Sequence, residues 1–212
     1  MAPATLWDLG GTLVDSAPLY EAALLDALAA LDIGPPDDFR ALVAGRDDQQ
    51  IHAWCVDHLG LRLGFADWLR LIHRCNADAA PTARPREGAV RLFISLERHG
   101  RPQAIVSNAD RLRAQAHLQA AGLATPGRIT VARNDVRRGK PAPEPYLRAA
   151  WLLGAEPADC VVVEDTPAGA AAGVAAGMRT LFWPSGEWSP PVGAEPVFDL
   201  ATLAQRLGAP AP

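Results

Sequence analysis

The sequence has a single lysine, Lys140, among 20 Lys and Arg residues. Arginine serves everywhere else, so the one lysine kept marks a place where a compact ammonium is wanted rather than a flat guanidinium. Cysteine is also scarce. Cys55, Cys75 and Cys160 are odd in number and show no CxxC spacing, which argues against a paired disulfide framework and predicts reduced, mostly buried thiols in a cytosolic setting. No basic block or basic amphipathic stretch accompanies the net charge of −4, so neither nucleic acid nor a membrane surface is expected as a partner. Long apolar runs are missing too. The least polar stretch, Ala168 to Met178, is rich in Ala and Gly and falls far short of the ~20 residues of a membrane span. A strand-like segment follows Met1 within a few residues, with no basic region before it; a secretory leader is not expected and a cytoplasmic location is.

What is present is an ordinary globular balance, 49% hydrophobic and 21% charged over 212 residues, enough for a full core and a modest insert. Short β-type runs recur at Ala4 to Asp8, Gln103 to Ser107, Ile129 to Ala132, Cys160 to Glu164 and Thr180 to Trp183. Helical spacing separates them, at Ala89 to Arg98, Arg111 to Ala121, Pro143 to Leu153 and Pro167 to Ala176, with a last short helix around Leu200 to Leu207. Such alternation predicts βαβ units and a doubly wound parallel sheet, an α/β fold. The runs Ala104-Ile105-Val106 and Val161-Val162-Val163 are apolar throughout, as strands covered on both faces should be.

Residues 16–83 break the alternation. They carry only helical patterns, punctuated by Gly34-Pro35-Pro36, Gly45, Gly60 and Gly64, and predict an α-helical insert of roughly four helices. The expected division is therefore a core of residues 1–15 and 84–212 with a helical insert over 16–83, returning through Pro81 to Pro85. Trp54 and Trp68 suit the core of the insert, and His52, His58 and His73 its surface or packing. Cys160 opens an apolar strand and reads as a packing residue.

In a doubly wound sheet, ligands bind at the carboxyl ends of the strands. The first strand ends at Asp8, followed by Gly10-Gly11-Thr12; the second ends at Ser107-Asn108, which could equally cap the next helix. Lys140 stands in a loop ahead of a helix, and the fourth strand ends at Glu164-Asp165. This set suits phosphoryl transfer. A carboxylate can attack phosphorus, a divalent cation held by carboxylates can neutralise phosphate charge, and hydroxyl, ammonium and backbone N–H groups can stabilise the equatorial oxygens.

Four ordered motifs, LWDLGGTLVDS, IVSN, GKPAPEPY and VVVEDTPAGAAAGVAAGM, resemble those of the haloacid dehalogenase superfamily, in the group of the phosphoglycolate phosphatases and β-phosphoglucomutases. The resemblance spans nearly the whole chain and implies a Rossmann-like core with a helical cap over residues 16–83. It also implies that Asp8 is the nucleophile, that Ser107 and Lys140 hold the transferred group, and that Mg²⁺ sits on Asp8, Glu164, Asp165 and the Gly10 carbonyl. Gly11, Thr12, Asn108 and Arg46 are implied as substrate contacts, with Gly45-Arg46 on a substrate-facing cap loop.

The chain departs from the family at Gly10, where phosphatases of the family carry a second aspartate that protonates the leaving group and later activates water. General acid–base help is typically worth ~10²–10⁴-fold, so poor leaving groups should react slowly while good ones need less protonation. Asp47, Asp48 and His52 are candidate substitutes. The expected function is an Mg²⁺-dependent phosphatase of a small phosphorylated metabolite. The rivals are a catalytically impaired protein that binds a phosphorylated ligand or partner, and a metal-independent dehalogenase, whose bulky aromatic glycine does not match. A phosphonatase would need a cap lysine, which is missing.

Overall fold

The structure is a computed structural model that describes residues 3–43, 46–76 and 82–209. Gly45 and Pro81, named above, lie outside the described residues. In chain order the elements are β1 (Ala4–Asp8), β2 (Val14–Asp15), α1 (Ala17–Ala29), α2 (Phe39–Val43), α3 (Asp48–Leu59), α4 (Phe65–Asn76) and β3 (Arg84–Pro85). They continue with α5 (Ala89–Arg98), β4 (Gln103–Val106), α6 (Arg111–Ala120), β5 (Thr130–Val131), α7 (Glu144–Leu153), β6 (Cys160–Glu164), α8 (Pro167–Ala175), β7 (Arg179–Phe182), β8 (Glu195–Pro196) and α9 (Leu200–Arg206).

Six strands form one sheet in the order β5-β4-β1-β6-β7-β8, and every pairing is parallel. This is the expected α/β doubly wound sheet. The chain runs outward from β1 through β4 to β5, then returns to β6 on the other side. The switch in direction falls between β1 and β6, where a crevice opens at the carboxyl ends.

Side chains alternate across the pleat and so serve two cores. Trp7, Ile105, Val161, Val163 and Leu181 face α5, α6 and α9, where Phe93, Leu118 and Leu203 meet them. Leu6, Ala104, Val106 and Val162 face α7 and α8 with Tyr146, Ala149 and Ala172. Cys160 is buried in this second core, Cys55 is buried in the insert, and Cys75 is half-buried; all three are free. No helix among the described residues is long and apolar enough to cross a membrane.

Between β2 and β3, the described residues hold the four helices α1–α4. They pack around a separate cluster that includes Leu24, Leu28, Phe39, Ile51, Cys55 and Trp68. Trp68 is fully buried there, whereas Trp54 is half-buried and stacks on His58 at 4.8 Å between centroids. Three small strands went unanticipated. β2 and β3 pair antiparallel where the chain leaves and re-enters the core, and β8 extends the sheet by two residues.

Candidate active site

Asp8 closes β1, level with Val106 of β4. The chain then turns tightly, with Gly11 N–H donating to Val14 O at 2.6 Å. Gly11 has φ +91°, and an added Cβ would lie 2.0 Å from Asp165 Oδ2, so glycine is required twice over, for conformation and for space. Gly169 is constrained by space alone: its Cβ would lie 2.0 Å from the Glu164 carboxyl. Thr12 is fully buried, and its hydroxyl faces Asp165 Oδ1 at 3.3 Å.

Lys140 is the hub. Its Nζ donates to Asp8 Oδ1 at 2.6 Å, to Glu164 Oε1 and to Val106 O at 3.0 Å. Asn108 fixes the lysine's backbone from both sides, accepting from Lys140 N at 2.9 Å and donating to Lys140 O at 3.1 Å. Glu164 also accepts from the Tyr146 hydroxyl at 2.7 Å, and Asp165 from the Ser185 hydroxyl at 2.6 Å. Ser107 Oγ accepts from Ala109 N–H at 3.1 Å, whereas Asp110 caps α6 through Leu112 and Arg113. The alternative role of Ser107-Asn108 as the helix cap is thereby overturned.

The electrostatics follow from burial. Asp8 is held well above the usual carboxylate range by desolvation, with Glu164 and Asp165 adding repulsion and Lys140 opposing it. Asp165 rises to about 7 by burial and by its neighbour Glu164, although Ser185 and Lys140 pull it down. Burial pulls the Lys140 pKa down, but Asp8 and Glu164 outweigh it and hold the ammonium above its ordinary value.

Each of Asp8, Glu164 and Asp165 offers a carboxylate oxygen within 4.8 Å of the others. Three buried carboxylates face one ammonium, which leaves an excess of formal negative charge. Asp8 Oδ2 is buried with no hydrogen-bond partner. An all-oxygen donor set with an orphaned carboxylate oxygen and excess negative charge fits a hard divalent cation such as Mg²⁺.

A cavity of about 610 Å³ opens over this cluster between the sheet and the insert. Asp8, Gly10, Arg46, Ser107, Asn108, Lys140 and Asp165 line it; Gly11, Thr12 and Glu164 do not. Sequence reasoning missed several wall residues, including Ser16, Tyr20, Arg113, His117, Ser185 and Trp188. His117 is buried with Nδ1 unpartnered, and burial beside Arg113 lowers its pKa to about 4. Arg86, also missed, donates to Gly11 O, Trp183 O and Pro184 O, each at 2.9 Å, and lies 3.4 Å over the Trp183 ring. It ties the turn after β1 to the segment after β7. Ser16 and Tyr146 stand inside or at the end of motifs already singled out; Arg86 and His117 carry no local signal.

The three candidate substitutes for an acid are used elsewhere. Asp47 caps α3 through Gln50 N–H and pairs with Arg133. Asp48 pairs with Arg113 and accepts from Tyr20. His52 Nε2 meets Leu63 O at 2.8 Å. None of the three lines the cavity. His73, expected as a surface or packing residue, instead bridges α4 to Asp110 of the core at 3.0 Å.

The parallel α/β sheet, the glycine turn after Asp8 and the acidic cluster fit the family whose model residues 3–177 match, the haloacid dehalogenase-like hydrolases. The chain belongs to that family. It is 35% identical over 189 residues to hexitol phosphatase A of Escherichia coli K12, covering 83% of this chain and 80% of that one. It is 31% identical to phosphoglycolate phosphatase of Rhodospirillum rubrum, covering all of this chain and 93% of the relative. A hydrolase from Pseudomonas syringae superposes with a TM-score of 0.86 over 99% of this chain and all of that one, at 23% identity.

Proposed function

We propose that this chain is an Mg²⁺-dependent phosphatase of a small phosphorylated metabolite, working through a phosphoryl group carried on Asp8. The observation that carries the reading is the state of the Asp8 carboxylate. It lines the cavity with one oxygen on Lys140 and the other buried without a protein partner. Asp8 Oδ is the attacking atom, and Lys140 and Ser107 orient the phosphoryl oxygens and offset their charge. Asp8 and Asp165, with Glu164 and the Gly10 carbonyl, would hold Mg²⁺. When bound, Mg²⁺ supplies the charge neutralisation that lets an anionic nucleophile approach an anionic phosphate. Residues 16–83 act as a cap on a core of 1–15 and 84–212; they provide Arg46 on the substrate side and exclude water. Gly11, Thr12 and Asn108 shape the turn and the lysine loop around the substrate phosphate. The phosphatases among the relatives support this class of substrate, and the free cysteines suit a cytoplasmic setting.

The test is Mg²⁺-dependent phosphate release from a panel of aryl, acyl and sugar phosphates, with Asp8→Asn as the blank. Release by the wild type alone supports the reading; equality with the blank on every substrate ends it. Gly10 favours a second reading, a ligand-binding protein without turnover, which that second outcome would favour.

A further inference from the structure

Gly10, two residues after Asp8, lines the cavity beside it. A Cβ added there would meet one atom within 4 Å, Ser16 Oγ at 3.0 Å. Ser16 is 4% exposed and lines the same cavity. It stands at the N-cap of α1, yet its side chain makes no capping hydrogen bond. The polar group next to position 10 is therefore a hydroxyl, which neither releases nor takes up a proton readily near neutral pH. Asp15, Glu21, Asp37, Asp38 and Glu187 also line the cavity, but none lies within 4 Å of that added Cβ.

The turn after Asp8 therefore offers the leaving group no proton. An alcohol expelled as alkoxide is about as basic as hydroxide, whose parent water ionises near ~16. A carboxylate comes from an acid that ionises near ~4 and departs unassisted. We propose that this site is matched to acyl phosphates, whose leaving group departs as a stable anion, and that the phosphoryl group then persists on Asp8. This rests on Asp8 being the nucleophile. In the first step an Asp8 oxygen forms a bond to phosphorus, the bond from phosphorus to the acyl oxygen breaks, and its electron pair leaves on the carboxylate; no proton moves. In the second step water attacks phosphorus, the Asp8–phosphorus bond breaks with its electrons returning to Asp8, and the water's proton ends on the phosphate. With a hydroxyl rather than a carboxylate beside the attacking water, the second step is the slow one.

The experiment uses the full chain with Mg²⁺ and either acetyl phosphate or glycerol 3-phosphate, reading intact mass after acid quench and released phosphate. Wild type is expected to gain one phosphoryl group from acetyl phosphate and none from glycerol 3-phosphate, and Asp8→Asn to gain none from either. Gly10→Asp is expected to lose the stable adduct and to release phosphate from glycerol 3-phosphate ~10²–10⁴-fold faster than wild type. Gly10→Asp with Ser16→Ala removes the close oxygen should the single variant fold poorly. Wild type that hydrolyses glycerol 3-phosphate as fast as acetyl phosphate without an adduct overturns the inference while leaving the phosphatase reading intact. No phosphate release and no adduct with any donor overturns both.

Discussion

Arg113 of α6 grips Asp48 of α3 with both terminal nitrogens at 3.1 Å, and both side chains are buried. Tyr20 completes the group: its hydroxyl donates to Asp48, and Arg113 lies 3.9 Å over its ring. Breaking a buried pair from one side strands the other charge. Arg113→Met is thus expected to cost ~3–5 kcal/mol in urea unfolding. Asp48→Leu, Arg113→Met and Tyr20→Phe together should recover most of that loss. A triple variant as unstable as the single would mean that packing, not the stranded charge, carries the cost.

Two histidines should give stability slopes of opposite sign. His117 is lowered to about 4 by burial and by Arg113. Below its unfolded value of ~6.5 the unfolded chain takes up a proton that the native chain refuses, so stability falls as pH drops toward 4, by roughly 3 kcal/mol in all. His73 is raised by its hydrogen bond to Asp110. Its contribution is full below the unfolded value and is lost as pH rises through the raised folded one. Asp110 drops to about 2, since the His73 hydrogen bond and Arg113 outweigh burial; its share is present above ~3.9 and lost as pH falls toward 2. Urea midpoints at several pH values for His117→Asn and His73→Asn, each compared with wild type, should show these slopes separately.

Gly169→Ala puts a methyl group where the Glu164 carboxyl lies. We expect ~1–3 kcal/mol of overpacking cost together with weaker Mg²⁺ binding by calorimetry. Unchanged Mg²⁺ binding would separate Glu164 from the metal.

Arg86→Lys keeps the charge but cannot reproduce the fork that bonds three carbonyls. A loss of ~1–3 kcal/mol in thermal or urea unfolding is expected. A neutral result would show that the turn after β1 holds itself.

The sheet was legible because its strands are apolar on both faces and end in polar residues, as Val161-Val162-Val163 and Glu164-Asp165 illustrate. Asp8, Lys140 and Asp165 were legible for the same reason, as they stand at strand ends or in the loop before a helix. The rest was set by tertiary placement. Arg113 and His117 reach the cavity from one helix face, which no local pattern separates from a solvated one. β2, β3 and β8 have two residues each, too few for an alternating signal. Asp47 and Asp48 looked available for proton transfer because a sequence does not reveal which arginines will meet them.

The adjacent aspartates that open α3 choose different partners, Asp47 turning to Arg133 and Asp48 to Arg113. The dipeptide works like a two-pin plug seated in the core. A chimaera that borrows a relative's helical segment would have to bring both pins; otherwise two arginines meet a mute surface, and the borrowed helices sit at an angle of their own choosing over Asp8.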